Sequence, residues 1–356
     1  MRLKLSICFM FVLPCLKKLK DLYWGNTEKI NMDIKTMQSK KYFITGVAGF
    51  IGSSMADRLL SEGCSVVGYD NFSTGFAEFL ESAKNNPNFK LIRGDLLDLD
   101  DLKAAMAGSD FVFHFAANAD VREGINHPKR DVEQNTLATF NVLEAMRENE
   151  IREIGFSSTG SIYGEAEIFP TPEMAPFPIQ TSLYGASKLA GEGLIQAYCE
   201  GFGFRSWIFR FVSILGERYS HGHVFDFYRM LLKDPKNLHV LGDGSQKKSY
   251  LYIQDCLDAI LLAIDKSNSK VNIFNLGTDE YCEINDSIKW ITSHLRLAPK
   301  FSYSGGKRGW IGDNPFIFLD TTNIKKIGWK PKRSIQEGIL NTLVWLQGNH
   351  WILEGR

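Results

Sequence analysis

The chain has 356 residues, 44% of them hydrophobic, and its 41 Lys and Arg residues balance 41 Asp and Glu residues. This length is typical of one large domain or two smaller ones with a sizeable core. The zero net charge argues against a general nucleic-acid-binding protein, which needs excess cations to displace counterions from phosphates. The 6 cysteines are scattered without a Cys-x-x-Cys pair, so we predict no metal site and expect reduced thiols in a cytoplasmic protein.

The first 39 residues do not read as part of a folded domain. A basic start precedes an apolar run over 5–16, and Lys17 and Lys18 follow. This order resembles a signal peptide, but no small-residue cleavage site follows and the run is too short to span a membrane. We therefore expect a non-structural extension or a mis-assigned start codon, with Met32 and Met37 as later starts, and neither secretion nor membrane insertion.

Strands and helices alternate from residue 40 onward, which predicts an α/β fold with a parallel sheet. Apolar runs without polar alternation indicate strands covered on both faces. Beyond Ser213 the regular alternation ends, as expected of a substrate-binding lobe. The predicted strands are 42–45, 65–70, 89–92, 111–115, 154–158 and 206–211, and the predicted helices are 51–62, 135–148 and 184–199.

A glycine-rich turn joins the first predicted strand to its helix. Gly46, Gly49 and Gly52 are spaced three apart. In a strand–turn–helix unit such glycines allow the tight turn, the approach of a diphosphate to the backbone and close packing of the helix. The diphosphate then meets free N–H groups at the helix N-terminus. An ordinary glycine turn is the alternative, and the flanking strand and helix favour a dinucleotide site.

Asp70 ends the second predicted strand, about 20 residues further along, where a carboxylate accepts hydrogen bonds from ribose hydroxyls. The same charge repels a 2′-phosphate, so NAD is predicted rather than NADP. Asp95 and Leu96 follow the third predicted strand and could lie against the adenine, although a helix cap explains Asp95 equally well.

Tyr184 and Lys188 lie four residues apart on a predicted helix, so their side chains share one face. A tyrosine with an ordinary pKa of about 10 is a poor base at neutral pH. A nearby ammonium and a positively charged nicotinamide lower that pKa by favouring the phenolate. Surface helices often contain this spacing by chance, so the pair needs support from elsewhere in the chain.

That support comes from the hydroxyl-rich segment 156–164 at the end of a predicted strand, where doubly wound proteins place their ligands. A hydroxyl at this position can hold a substrate oxygen and share its proton with Tyr184. A polar turn explains the segment when it is considered alone.

Together these residues resemble the extended short-chain dehydrogenase/reductases, in particular the NAD-dependent sugar-nucleotide epimerase/dehydratase family. The resemblance covers about residues 41–346. It implies a Rossmann-type doubly wound domain over 40–212, with a return of about 250–276. It also implies a smaller C-terminal substrate-binding lobe over 213–249 and 277–346. Supporting segments are 70–75, 114–117, 216–218, 242–246, 252–255 and 307–313, with Asn135.

The resemblance also implies three groups of site residues. Thr159, Tyr184 and Lys188 would be catalytic. The NAD-binding residues would be Gly46, Gly49, Phe50, Ile51, Gly52, Asp70, Asn71, Asp95, Leu96, Ala116, Ala117, Asn135, Ser157, Tyr184 and Lys188. The nucleotide-sugar substrate would contact Thr159, Ser161, Ser213, Val224, Lys248 and Arg308. Ser213 and Lys248 depart from the asparagine and arginine that many relatives have at these positions.

Within the family the residues favour an epimerase that acts at C4 of a UDP-hexose or a UDP-N-acetylhexosamine. Dehydratases usually have Asp-Glu after the catalytic threonine, and decarboxylases a glutamate at the second position. Gly160 and Ser161 stand there instead. A 4-keto reductase stays open, as does a non-catalytic dinucleotide sensor. Ile317 replaces a tyrosine that narrows the sugar pocket in some relatives, although Phe316 could refill the space. The resemblance further implies a homodimer formed through helices 135–148 and 184–199.

Overall fold

The computed structural model describes residues 39–354, except for 120–122, 178 and 311. The predicted N-terminal extension therefore lies outside the described residues, apart from Ser39. Within the described residues, a seven-stranded parallel sheet has the strand order β7-β6-β5-β4-β1-β2-β3. This order confirms the predicted doubly wound Rossmann-type fold. The strands are β1 Lys41–Thr45, β2 Ser65–Asp70, β3 Phe89–Arg93, β4 Phe111–His114, β5 Glu153–Thr159, β6 Arg205–Phe211 and β7 Val271–Leu276.

Helices cover both faces of this sheet because successive strand residues point to opposite sides. Tyr42 and Ile44 of β1 pack in one apolar cluster with α1 and α6. Phe43 packs on the other face, with α2, α3 and α4. The long helices are α1 Phe50–Ser61, α2 Leu99–Met106, α3 Ala138–Glu148, α4 Leu183–Phe202, α5 His223–Lys233, α6 Ile253–Lys266, α7 Ile284–Leu295 and α8 Ile335–Gly348.

Shorter helical segments connect these elements. The predicted helix 135–148 is not uniform, because a π-helix over Val132–Leu137 precedes α3. The short α-helices are Glu81–Lys84, Pro128–Asp131, Thr322–Lys326 and Trp351–Glu354, and the 3₁₀ segments are Ala77–Leu80, Glu123–Ile125 and Gly160–Tyr163. No helix in the described part of the chain is long and apolar enough to cross a membrane.

A second core lies C-terminal to β6, where α5, α7 and α8 pack around an apolar cluster that includes Phe225, Ile288 and Ile339. Strand β7, from the predicted return segment, lies at the edge of the main sheet beside β6. Three small sheets complete this region: Ser213–Leu215 with Tyr250–Tyr252, Asn237–Val240 with Lys300–Tyr303, and Lys247–Lys248 between Cys282–Glu283 and Phe316–Ile317.

Candidate active site

The turn between β1 and α1 has the geometry that its glycines predict. Gly46 has a φ of +69°, and a Cβ there would lie 2.6 Å from the backbone nitrogen of Ala116. A Cβ on Gly52 would lie 2.1 Å from the carbonyl oxygen of Gly46, so only glycine lets α1 pack this closely on the turn. Gly49 caps α1 without a side-chain hydrogen bond. The turn therefore presents bare backbone and a helix N-terminus, which fit a diphosphate.

Asp70 has a structural role in addition to the predicted one. Its Oδ2 accepts a hydrogen bond from the Ala48 N–H at 2.8 Å, and its Oδ1 accepts one from the Phe72 N–H at 2.8 Å. Burial raises the pKa of this carboxyl, and the two N–H donors oppose the rise. The carboxylate thus joins the glycine-rich turn to the loop after β2, where Phe72 adopts a φ of 59°.

A cavity of about 90 Å³ lies at the ends of β1, β2 and β4, and we call it the cofactor cavity. It contains seven of the predicted NAD-binding residues together with several that the sequence prediction did not include. Ser73, Thr74 and Gly75 belong to segment 70–75, which supports the family resemblance, so the sequence contained a signal for them. No sequence pattern indicated Gln134. The cavity is lined by Gly46, Gly49, Tyr69, Asp70, Asn71, Ser73, Thr74, Gly75, Gly94, Leu96, Phe115, Ala116, Ala117 and Gln134.

Other predicted NAD-binding residues lie beside this cavity and support its walls. Asp95 accepts hydrogen bonds from the Asn71 side chain at 3.1 Å and from the Leu97 N–H at 2.9 Å. The Phe50 ring packs edge-on against Tyr219, with 6.1 Å between centroids. The Ser157 hydroxyl donates to the His114 carbonyl oxygen at 3.2 Å. Gly52 lies under the turn, and Ile51 packs against the core beneath it.

Asn135 is buried, and its side chain forms hydrogen bonds with other residues of the protein. Its Oδ1 accepts from the Asn118 N–H at 2.8 Å, and its Nδ2 donates to the Ser187 hydroxyl at 2.9 Å. Ser187 lies between Tyr184 and Lys188 on α4. Asn135 therefore ties the loop after β4 to the helix that carries the predicted catalytic pair.

The three predicted catalytic residues lie on two elements, Thr159 at the end of β5 and the Tyr184–Lys188 pair on α4. Ser182 caps α4, its hydroxyl accepting from the Gly185 N–H at 3.0 Å, and this places Tyr184 in the first turn. Thr159 ends β5, and its Oγ1 accepts from the Ser161 N–H at 3.1 Å. The Thr159 hydroxyl lies near the Tyr184 phenol and favours its ionised form.

Burial has the largest effect on the pKa values of both Tyr184 and Lys188. It raises the pKa of Tyr184 to about 12, an effect that the hydrogen bond with Thr159 opposes and the Asp131 charge reinforces. Burial also lowers the pKa of Lys188 to about 7, and the Glu192 charge opposes this. The Lys188 ammonium lies over the Phe156 ring, 4.4 Å from its centroid. In this structure desolvation of the Tyr184 phenolate outweighs the favourable effect of Thr159.

His114 is a buried titratable neighbour that the sequence prediction treated only as part of a motif. Its Nδ1 lies 2.7 Å from the Thr45 hydroxyl, and its Nε2 lies 3.0 Å from the Thr139 hydroxyl. Burial, followed by the Lys188 charge, lowers the pKa of His114 to about 3. The imidazole is thus neutral and holds β4 to β1 and α3 without adding charge to the site.

A larger cavity of about 480 Å³ extends from Ser161 into the C-terminal lobe, and we call it the substrate cavity. Its walls combine aromatic, histidine and charged side chains. Ser161, Ser213 and Lys248 were predicted, whereas most of the others were not, because they come from separate elements of the lobe. The lining residues are Ala119, Ser161, Ser213, Tyr219, His221, Gly222, His223, Asp226, Phe227, Arg229, Met230, His239, Leu241, Gln246, Lys248, Tyr250, Ile284, Gly309, Trp310, Gly312, Asp313, Asn314 and Ile317.

The other three predicted substrate residues, Thr159, Val224 and Arg308, do not line this cavity. Val224 lies on α5 and is buried in the apolar cluster of the lobe, so its side chain is not on the cavity wall, which the neighbouring His223 lines. The Arg308 side chain is half-exposed and forms an ion pair with Glu165, on the loop after Tyr163-Gly164.

Lys248 is held inside the protein by an acidic partner. Its ammonium lies 2.8 Å from Asp313 Oδ1 and also donates to the Asn314 carbonyl oxygen. Asp313 Oδ2 accepts from the Gly309 N–H at 3.0 Å. Burial lowers the pKa of Lys248, and the Asp313 charge opposes this. Lys248 therefore anchors the segment that follows Arg308, in addition to lining the cavity.

Comparison with known proteins agrees with this geometry. Residues 42–277, which include the glycine-rich turn, both members of the Tyr184–Lys188 pair and all of the main sheet except Lys41, match the family described as NAD dependent epimerase/dehydratase. The chain belongs to this family. The predicted family, its enzymatic nature and its NAD cofactor are thereby confirmed.

Relatives of the epimerase/dehydratase family match over most of their length. The chain is 32% identical to a putative UDP-glucose 4-epimerase of Methanocaldococcus jannaschii over 86% of this chain and 98% of the relative. It is 35% identical to a UDP-galactose 4-epimerase of known structure, with a TM-score of 0.78, covering 87% of this chain and 100% of the other. The UDP-N-acetylglucosamine 4-epimerase of Methanobrevibacter ruminantium, solved with UDP-N-acetylmuramic acid, is 27% identical, with a TM-score of 0.78 and coverage of 88% and 99%.

Proposed function

We propose that this chain is an NAD-dependent epimerase that inverts C4 of a UDP-activated hexose or N-acetylhexosamine through a transient 4-keto sugar. The observation that carries the proposal is that Thr159, at the end of β5, lies beside Tyr184, one helical turn from Lys188 on α4, and two residues before Ser161 of the substrate cavity wall. The relatives named above are 4-epimerases of UDP-sugars, which supports the same reaction here.

Each member of the trio has a distinct role in this scheme. Thr159 holds the sugar 4-hydroxyl, and Tyr184 removes its proton as a general base. Lys188, one helical turn away, stabilises the phenolate by its charge. Bound NAD supplies hydride acceptance and return at C4. Because Tyr184 returns this proton to the sugar oxygen when the 4-keto sugar is reduced, the side chains finish the cycle in their starting states.

Elimination and decarboxylation are disfavoured by the residues after Thr159. A Cβ on Gly160 would lie 3.2 Å from Ile317 Cγ2 and 3.3 Å from the Phe211 carbonyl oxygen, so little space exists for a carboxyl side chain. Ser161, at the second position, has no carboxylate. The carboxylates that line the described part of the cavity are Asp226 and Asp313, and Asp313 is paired with Lys248. This arrangement supports an acid/base role for Tyr184 alone, as an epimerase requires.

The space at Ile317 supports substrates with an N-acetyl group. Ile317 lines the substrate cavity, where a tyrosine would project further into it. Phe316 does not refill this space, because its ring packs with Phe169 at 4.5 Å, Tyr281 at 5.2 Å and Phe318 at 5.9 Å between centroids. We therefore propose UDP-N-acetylhexosamines as substrates alongside UDP-hexoses.

We propose that the side chains of Arg308 and Lys248 bind the diphosphate of the substrate. The guanidinium of Arg308 presents a planar fork of N–H donors that suits phosphate oxygens. In the structure that fork is engaged by Glu165, so binding of the substrate would exchange one anion for another. Lys248 would contribute from inside the cavity while it remains paired with Asp313.

We propose that the protein is a homodimer in the cytoplasm. Large apolar side chains are exposed on the predicted dimer helices and the π-helix before them, including Leu137 at 47%, Phe140 at 40% and Phe202 at 48%. Burial of such a patch against a second copy is the usual reason for its exposure. Light scattering of the wild type and Phe140→Glu tests the dimer, and a monomeric wild type would contradict it. We also propose the domain limits given above, with an NAD-binding domain over 40–212 and about 250–276 and a substrate-binding lobe over 213–249 and 277–346.

Product analysis tests the reaction directly. The purified protein would be incubated with NAD and with UDP-glucose, UDP-galactose and their N-acetylamino analogues, and the products identified by NMR and mass spectrometry. We expect a C4 epimer of unchanged mass, with none formed by Tyr184→Phe. Loss of water indicates a dehydratase, loss of carbon dioxide from UDP-glucuronate a decarboxylase, and stoichiometric NADH consumption a reductase. NAD binding without turnover of any sugar indicates a sensor.

A further inference from the structure

Glu192 lies on the same face of α4 as the predicted catalytic pair. Tyr184, Lys188 and Glu192 are spaced four residues apart, so their side chains lie one above the other along the helix. The Glu192 side chain is completely buried. A buried carboxylate is costly unless it is paired and hydrogen-bonded, so its partners indicate its role.

Those partners come from the strands on either side. Glu192 Oε1 accepts from the Ser158 hydroxyl, and Ser158 directly precedes Thr159. The Arg210 guanidinium of β6 binds both carboxylate oxygens, through Nε to Oε1 at 3.0 Å and Nη2 to Oε2 at 2.7 Å. The carboxylate therefore joins α4, the end of β5 and the end of β6 at one point behind the site.

Arg210 extends this connection beyond the helix. Its Nη1 donates to the Tyr163 hydroxyl and to the Glu173 carbonyl oxygen, both at 2.7 Å. The Tyr163 hydroxyl in turn donates to Asn275 Oδ1 at 2.9 Å. The segment after Thr159 is thus held on the same buried network, so movement of the Glu192 carboxylate would be transmitted to Thr159.

The charges around Lys188 and its immediate partners come from several elements. Tyr184 and Glu192 lie on the same helix as Lys188, and the neutral His114 faces Lys188 from β4. Asp131, in the segment before α3, acts on Tyr184. Arg210 of β6 is paired with Glu192. Of these charges, Glu192 favours the ammonium of Lys188, against the effect of burial. Glu192 therefore acts on Lys188 electrostatically as well as through packing.

We propose that Glu192 is a positioning residue of the reaction, which locks the Tyr184–Lys188 face of α4 against Thr159 and places a negative charge one helical turn from Lys188. This rests on the proposed roles of Tyr184 and Lys188. Loss of the Glu192 charge should change the pH dependence of turnover. Loss of an ion pair with a purely structural role would leave that pH dependence unchanged.

The test is the pH profile of kcat for Glu192→Gln, with the substrate found in the product analysis. The amide keeps the shape of the side chain but removes its charge and leaves Arg210 as a nearby uncompensated cation. Both effects disfavour the Lys188 ammonium, so the basic limb of the profile should move to lower pH by about 1 unit. NAD binding, measured by calorimetry, should stay within about threefold of the wild type.

Two controls separate charge from folding. Glu200→Gln makes the same change on the exposed part of α4, where Glu200 pairs with Lys270, and should leave the profile unchanged. Glu192→Leu with Arg210→Met replaces the buried pair by apolar side chains, which proteins often tolerate. This double variant should fold and show a smaller shift than Glu192→Gln, because both charges are removed.

A folded Glu192→Gln protein that binds NAD and keeps the wild-type basic limb would overturn the inference, even if its kcat is lower. If Glu192→Gln does not fold, the double variant decides: a wild-type limb in that protein also overturns the inference. Failure of the proposed function looks different, because Tyr184→Phe would then retain activity.

Discussion

The carboxylate of Asp70 and the backbone N–H of Ala48 are 2.8 Å apart, which connects the end of β2 to the glycine-rich turn across the cofactor cavity. A second hydrogen bond, from Phe72, holds the loop on the other side. One side chain thus both shapes the cavity and presents charge to it. The remaining lone pairs of the carboxylate are available to ribose hydroxyls, and its charge opposes a 2′-phosphate.

Substitution of Asp70 should therefore change both cofactor affinity and cofactor choice. Wild type should bind NAD more tightly than NADP, and Asp70→Ala should bind NAD about 10–100-fold more weakly because charge-assisted hydrogen bonds are lost. The ratio of NAD to NADP affinity should fall in the variant. Calorimetry with both cofactors measures this, and tighter NADP binding by the wild type would contradict the assignment.

Replacement of the proposed base should remove chemistry and leave binding. Tyr184→Phe keeps the ring and loses the proton acceptor, so turnover should fall by about 10²–10⁴-fold. NAD affinity measured on the same preparation should change little. Leu183→Ala, beside it on the exposed side of α4, is the matched control and should keep most of its activity. Near-normal turnover by Tyr184→Phe removes Tyr184 from the mechanism.

Lys188 is expected to lower stability while it supports catalysis. Burial lowers its pKa in the folded protein to about 7, against about 10.4 in the unfolded chain, so the unfolded state binds more protons between these values. This group therefore destabilises the fold most at low pH, and the cost declines as pH rises from about 7 to about 10. Lys188→Met should raise the free energy of unfolding by about 1 kcal/mol near pH 7.

The same variant should lose activity, most strongly at low pH, because the phenolate of Tyr184 loses the charge that supports it. Denaturation at several pH values, with kcat profiles of both proteins, measures the two effects together. A Lys188→Met protein less stable than the wild type at about pH 6.5 would show that the ammonium is not costly to bury.

Pocket width at residue 317 should determine tolerance of the N-acetyl group. Ile317→Tyr places a larger ring in the substrate cavity, so kcat/KM for an N-acetylated substrate should fall at least about tenfold relative to the plain hexose. Phe316→Tyr adds a hydroxyl to the neighbouring ring outside the cavity and should leave the ratio unchanged. Equal effects of Ile317→Tyr on both substrates would show that the sugar does not reach this position.

Arg308 and Glu165 should have opposite effects on substrate binding, since Glu165 occupies the guanidinium proposed to hold the diphosphate. Arg308→Met should raise KM by about 10–100-fold, the loss typical of a charged hydrogen-bonding group. Glu165→Gln should lower KM, because the guanidinium no longer exchanges one anion for another. Steady-state kinetics of both variants test this, and a raised KM for Glu165→Gln would mean that Glu165 orients Arg308 for the substrate.

Local patterns in the sequence determined much of this protein. The strands from β1 to β6 lie within a few residues of their predicted limits, because buried parallel strands are continuous apolar runs. The glycine spacing predicted the turn at Gly46, since backbone approach and a positive φ impose residue identity directly. Tyr184 and Lys188 were placed together by helical periodicity alone. In each case the signal lies within a few neighbouring positions of the sequence.

Only the tertiary structure decided which distant side chains meet. Val224 lies in the lobe core, Phe316 packs away from the sugar pocket, and Arg308 pairs with Glu165 across 143 positions of the printed sequence. The Glu192–Arg210 pair behind the active site is of the same kind. A charged or aromatic residue has many possible partners in a chain, and the choice among them depends on the packing of whole helices and strands, which no local pattern encodes.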